Sequence, residues 1–340
     1  MTRVVITGAG FAGLSAARVL RTEALGFEVI LFDRRDTFDF LPMLPDVIGR
    51  AISHRALSCN LNDLSKRLSF KFVNAEVVSL DLAQKHVATQ NGSASFDYLI
   101  IASGSETNFY GNENIKKYAY ALNNASDASQ LTQALEQGDR DNYIICGAGY
   151  TGIEAATGLH KFLSRHKKPG KVIIVERASS ILGPLPEWMK AYTLNNLGHL
   201  GIEVILNASV AAIEENRVRL TNGTIFDKAM TIWAAGVKTS NFVQNLNIEK
   251  NPQGRLKADE YLRINDYCFV CGDAAYFQYK NSYLRMAVQF ALSQGQCAGR
   301  NVIKSALKKP LLKYRPLDLG YIIPMANNRA CGIALGLKVK

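Results

Sequence analysis

The chain has 340 residues, 48% hydrophobic and 20% charged, with 40 Lys and Arg against 29 Asp and Glu and so a formal net charge of +11. This is the composition of a globular chain of about two domains, and 26 Gly beside 9 Pro exclude a collagen-like or low-complexity sequence. Apolar runs such as 98–102 and 143–146 are strand-length, short of the ~18–20 residues of a membrane-spanning helix.

The N-terminus enters a strand at once and meets Gly8, leaving no room for the charged, apolar and cleavage regions of a secretory signal. A cytosolic compartment is expected, where Cys59, Cys146, Cys268, Cys271, Cys297 and Cys331 remain free thiols. Strand 4–7 runs into Gly8-Ala9-Gly10-Phe11-Ala12-Gly13, followed by a helical pattern over 14–20 and a strand over 28–32 that ends at Asp33. That is a dinucleotide-binding fingerprint in its structural context. Gly8 permits the tight turn, Gly10 lets the backbone approach a pyrophosphate, Gly13 allows helix and strand to close up, and Asp33 is placed to accept from a ribose hydroxyl.

A strand over 96–105 follows, ending in the small residues Ala102, Ser103 and Gly104. The fingerprint then recurs: strand 143–146, turn Gly147-Ala148-Gly149-Tyr150-Thr151-Gly152, helix 153–162, and strand 171–175 ending at Glu176. Two such units imply two dinucleotides. Strand 267–271 leads into Gly272 and Asp273, a position that suits a ligand hydroxyl or equally a helix cap, and a helical stretch covers 284–307.

With these elements in this order the sequence resembles the two-dinucleotide flavoprotein reductases, and among them the type II NADH:quinone oxidoreductases. Phe40-Leu41-Pro42-Met43-Leu44 matches that family's F-x-P-L-L, 233–237 its W-x-A-G-V, and 288–295 its A-Q-x-A-x-Q-Q-G. Ser103, Val288 and Ser293 depart from the family's Thr, Ala and Gln.

The resemblance implies an α/β fold of two Rossmann-like domains, with an NADH domain (113–257) inserted into a discontinuous FAD domain (1–112 and 258–308). A tail, 309–340, would face an interface or membrane, and it stops where relatives continue into an amphipathic segment, as a truncated chain would. The resemblance further implies hydride transfer from NADH to FAD and two electrons passed to a membrane quinone, ubiquinone or menaquinone, without proton pumping. FAD would be held by Gly8, Gly10, Phe11, Ala12, Gly13, Asp33, Arg34, Pro42, Ala102, Ser103, Gly104, Gly272, Asp273 and Gln289. NADH would be held by Gly147, Gly149, Tyr150, Thr151, Gly152, Glu176, Ala235 and Gly236. Glu154 would stand near the nicotinamide and quinone, Gln289 and Gln294 would shape the quinone pocket, and the enzyme would sit peripherally on the cytoplasmic face of the membrane, with a homodimer left open.

Rival readings are a sulfide:quinone oxidoreductase, a soluble reductase serving a redox-protein partner, and an NADH-sensing flavoprotein. The first needs a redox pair of cysteines. Cys268 and Cys271, three apart on a strand, point to opposite faces and should not meet. Arg165-His166-Lys167-Lys168 reads as a solvated helix end, no basic segment is interleaved with aromatics for nucleic acid, and the five histidines show no metal-ligand spacing. The basic cluster Lys304, Lys308, Lys309, Lys313 and Arg315, interleaved with Leu307, Leu311 and Leu312, reads as a surface for anionic lipid.

Overall fold

Val4, Val5 and Ile6 are fully buried because their strand, Thr2–Thr7, has parallel neighbours on both sides and cover on both faces. That is why it reads as a continuous apolar run rather than an alternation. The structure is a computed structural model that describes residues 1–23, 26–280 and 282–340, and its chain divides into two compact units.

The first unit comprises Met1–Phe38, Cys59–Glu106 and Lys238–Asp318. Its parallel sheet runs, in spatial order, Cys268–Val270, Tyr98–Ile101, Thr2–Thr7, Phe27–Asp33 and Lys71–Asn74. One face of the sheet (Val4, Ile6, Leu31, Ile100, Phe269) packs on Ala16, Leu20, Ala298 and Val302, which belong to the helices Phe11–Thr22 and Val288–Ala306. The other face (Val5, Ile30, Leu99, Ile101, Val270) packs on Val77, Val87, Phe242 and Val243.

Cys268 belongs to the second of these cores and Cys271 to the first, so the two thiols lie on opposite faces of the sheet, as their spacing requires. Burial pushes both thiols up, away from the reactive thiolate a sulfide-oxidising pair would need. Among the described residues all six cysteines are free.

The second unit comprises Asp39–Ser58, Thr107–Val237 and Leu319–Lys340. Its sheet repeats the plan: Ala119–Tyr120, Ala229–Trp233, Asn142–Cys146, Lys171–Val175 and Glu203–Ile205, all parallel. The helix Tyr150–His166 packs Ile153, Ala156, Leu159 and Phe162 on one face. The antiparallel strands Val210–Glu214 and Arg217–Leu220 bring Ile213, Val218 and Leu220 to the core of the other. The chain's last stretch forms a three-stranded antiparallel sheet, Gly320–Met325, Arg329–Ala334 and Leu337–Val339, and its Ile323, Met325 and Cys331 are fully buried in this unit's main core. The Leu44–Arg50 helix belongs to the same unit.

One boundary is corrected. The helix expected over 284–307 begins at Val288, after Ala287 in extended backbone (φ −158°, ψ 145°). Leu284 instead donates its N–H to Phe277 O. No Ser, Thr, Asp or Asn stands at this N-cap to mark the start in the sequence. Among the described residues no helix is long and apolar enough to cross a membrane.

Candidate functional site

Each unit carries a cradle at the carboxyl end of its central strand, and the two are built alike. In the first, Gly10 is the N-cap of the Phe11–Thr22 helix, with φ −76° and ψ −169° and no side chain capping the first turn. In the second, Gly149 caps Tyr150–His166 with φ −79° and ψ −171°, again with no side-chain cap. Free N–H groups and the positive end of the helix dipole are thus left for an anion.

A Cβ on Gly10 or Gly149 would meet nothing within 4 Å, whereas one on Gly13 would sit 1.9 Å from Gly8 O and one on Gly152 1.9 Å from Gly147 O. The turn is therefore closed toward the protein and open on the side a pyrophosphate would approach.

The acids repeat as well. Asp33 accepts from Ala9 N at 2.7 Å and from Arg35 N at 2.9 Å. Glu176 accepts from Ala148 N and from Ala178 N, both at 2.8 Å. Each carboxylate braces its glycine turn and keeps lone pairs for a ribose hydroxyl, since an ionised carboxylate has about four acceptor positions. The brace is a feature the fingerprint alone does not specify.

Around the first cradle, Ser103 Oγ lies 3.1 Å from Thr7 Oγ1, and Phe11 packs edge-on to Phe38 with ring centroids 5.0 Å apart. Arg34 is exposed and pairs with Glu76 at 3.5 Å and Glu106 at 3.3 Å. Gly272 and Asp273 form a single 3₁₀ turn. Asp273 accepts from Ser105 Oγ at 2.7 Å, and burial holds its carboxyl above the usual range against that hydrogen bond. Arg255, only 5% exposed, donates to Asp273 O at 3.2 Å and Leu284 O at 3.0 Å. Nothing in the sequence singled out Arg255, because its importance is its burial.

The structure corrects the expectation for Gln294. It is 1% exposed and its Oε1 accepts from Gly272 N at 2.8 Å, so it braces the Asp273 turn from the core instead of lining a pocket. Gln289 is partly exposed and donates to Asp318 Oδ1 at 3.1 Å, beside a two-point ion pair of Arg285 with Asp318 at 2.5 and 2.8 Å. Ser293, which departs from the family's glutamine, bonds Tyr314 Oη at 2.8 Å.

Around the second cradle, Tyr150 stands edge-on to Tyr321 (5.8 Å), and Thr151 is exposed. Tyr110 donates to Ala235 O at 2.8 Å and so holds the Ala235-Gly236 turn, while Trp233 Nε1 donates to Asn108 O at 2.9 Å. Pro42 lies in the 3₁₀ turn Leu41–Met43, behind the exposed Phe40 and Leu41, and lines a recess with Pro45, Asp46, Arg50 and Glu154. Glu154 lies in the first turns of Tyr150–His166, and no hydrogen-bond donor reaches its carboxyl among the described residues. Burial, and secondarily the Asp46 carboxylate, pushes it up to about 8 against the pull of Arg50. Below that pH it is a neutral acid.

The family model for pyridine nucleotide-disulphide oxidoreductases matches residues 2–295 of the chain. The demethylphylloquinone reductase of Synechocystis sp. is 28% identical, over 99% of this chain and 88% of that protein. A type II NADH:quinone oxidoreductase of Staphylococcus saprophyticus is 26% identical, over 99% of this chain and 91% of that protein. Among solved structures, NDH2 of Plasmodium falciparum in complex with NADH superposes over 100% of this chain and 91% of its own, with a TM-score of 0.87 at 16% identity.

Proposed function

We propose, for a chain that belongs to the pyridine nucleotide-disulphide oxidoreductase family, that it binds FAD and NADH and passes the electrons of NADH to a quinone without pumping protons. The duplicated cradle carries this reading: two open helix N-termini, each with its own braced acid, fit two dinucleotides. The relatives aligned over 99% of the chain, a demethylphylloquinone reductase and a type II NADH:quinone oxidoreductase, support the quinone as acceptor.

FAD belongs in the first unit's cradle, held by the Gly8 to Gly13 turn, Asp33 and Asp273, within the 1–112 and 258–308 expected for it, although 39–58 and 107–112 pack with the second unit and 238–257 with the first. NADH belongs in the second, held by the Gly147 to Gly152 turn, Glu176 and the Ala235-Gly236 turn within 113–257. When bound, the flavin supplies the chemistry of hydride acceptance and onward electron transfer. NADH brings one proton with its electron pair and a quinol needs two, so one more comes from solvent. Glu154, neutral up to about 8, is the group we assign to deliver it.

Gln289 is assigned to the acceptor side. Gln289→Leu should slow reoxidation by quinone and leave reduction by NADH unchanged. The test is anaerobic: a yellow protein bleached by NADH should recover its colour when a ubiquinone or menaquinone analogue is added. Bleaching by NADPH should be slower, since Glu176 would repel a 2′-phosphate. No flavin, or a bleached protein indifferent to quinone, would refute the assignment.

A quinone dissolves in the bilayer, so we also propose docking at an anionic membrane surface. Lys308 and Lys309 lie beside Leu307 and Leu312, which are 55% and 39% exposed, although Lys313 is engaged by Glu260 at 2.9 Å. Each surface cation contributes about 1 kcal/mol near anionic lipid and is screened by salt. The protein should cosediment with anionic vesicles at low salt and be released at high salt, and equal binding to neutral vesicles would remove the basic cluster from the account.

A further inference from the structure

Glu154 is met across a helix contact that only glycine allows. The helices Leu44–Arg50 and Tyr150–His166 touch at Gly49 and Gly158, where a Cβ on Gly49 would lie 2.6 Å from the Gly158 Cα. Backbones this close place Asp46, three residues before Gly49, and Arg50, one after it, on the wall of the recess into which Glu154 faces. The recess measures ≈ 10 Å³, room for about one water. Asp46 and Arg50 are themselves paired, Arg50 Nε to Asp46 Oδ1 at 3.0 Å.

The remaining wall offers Pro42, Pro45, Pro324 and Ala326, none of which titrates. Two further cations lie along this contact, Lys161 donating to Ala326 O at 3.0 Å and Arg165 to Gly49 O at 3.5 Å, but neither is among the charges that act on Glu154. The half-buried His160, on the same helix, is held toward its neutral form by burial. The charges that face Glu154 are therefore one carboxylate and one guanidinium, close together and opposed in effect.

We infer that Asp46 and Arg50 are positioning residues for Glu154, an ion pair that lines the same recess and sets the electrostatic surroundings of that carboxyl from across the Gly49–Gly158 contact. The inference rests on the proposed quinone chemistry only for its purpose, since the coupling itself is a property of the second unit. Asp46 disfavours charge on Glu154 and Arg50 favours it, with burial making up the balance. The two residues should therefore act with opposite sign.

The experiment is an infrared titration of the protonated carboxyl stretch on the oxidised protein, without NADH or quinone, with Glu154→Gln as the blank that identifies the band. In the wild type the band should disappear as pH rises through about 8. Asp46→Asn should move the midpoint down, and Arg50→Gln should move it up, each by about one pH unit or more, the scale of a neighbouring charge. Asp46→Glu and Arg50→Lys keep the charges and should stay near the wild type. This control separates charge from any loss of packing, and thermal melts of Asp46→Asn and Arg50→Gln check that each variant stays folded, since Arg50 is exposed and Asp46 partly buried. Midpoints that do not move, or that move the same way in Asp46→Asn and Arg50→Gln, overturn the inference. If the wild-type protein reduced no quinone, the proposed function would fall and this titration would still stand or fall by itself.

Discussion

The double variant Asp33→Ala, Asp273→Ala should emerge from purification without flavin. A hydrogen bond from a ligand hydroxyl to an ionised carboxylate contributes about 1.5–3 kcal/mol, so each loss should weaken FAD binding about tenfold or more and the pair by about a hundredfold if they act independently. The two acids do not fail in the same way. Asp33 also accepts from Ala9 N and Arg35 N, so its removal should loosen the glycine turn as well as the proposed ribose contact. Asp33→Asn, which keeps an acceptor for Ala9 N, should retain more flavin than Asp33→Ala. Asp273 accepts only Ser105 Oγ among the described residues, while Arg255 holds the backbone carbonyl of the same turn independently of the carboxylate. Asp273→Ala should therefore cost flavin and little stability. Flavin absorbance per mole of protein after gel filtration, read beside a thermal melt, measures both. A well-folded double variant with full flavin would place the cofactor elsewhere.

In the second cradle two alanine substitutions, three residues apart, should do opposite things. A methyl on Gly152 would sit 1.9 Å from Gly147 O, a backbone atom that cannot swing aside. Overpacking of this kind costs about 1–3 kcal/mol and sometimes more, so Gly152→Ala should lower the melting temperature of the unit even without ligand. Gly149 has extended backbone that any residue adopts, and its methyl would meet nothing within 4 Å. Gly149→Ala should melt within about 1 kcal/mol of the wild type, the scale of a single Gly-to-Ala exchange. Its methyl would instead fill the space left for a pyrophosphate and should raise the KM for NADH about tenfold or more, as loss of one charge-assisted contact does. Differential scanning calorimetry and rapid-mixing reduction by NADH separate the two effects. Unaltered NADH kinetics in a folded Gly149→Ala variant would argue that no pyrophosphate sits on this turn.

Much of this was legible because it is written locally. A glycine turn needs its glycines at fixed offsets, and a strand covered on both faces needs an unbroken apolar run, so residues 4–33 and 143–176 announce their folds within 30-odd positions. The opposite facing of Cys268 and Cys271 follows from the period of a strand in the same way. One error was avoidable by the same arithmetic. Gln289 and Gln294 are five residues apart, and at 3.6 residues per turn they point about 140° apart, so the helix that leaves Gln289 beside Asp318 must turn Gln294 into the core. The sequence by itself therefore determined the two glycine turns, the acids that brace them and the strand–helix order that builds each parallel sheet. Only the tertiary structure decided that the last strands join the core of the second unit, that Arg255 is buried behind Asp273, and that Asp46 and Arg50 reach Glu154. Those relations join residues from 18 to more than 150 positions apart, and no short-range rule carries them. They depend on which surfaces exclude water and how closely two backbones can approach, here through Gly49 and Gly158.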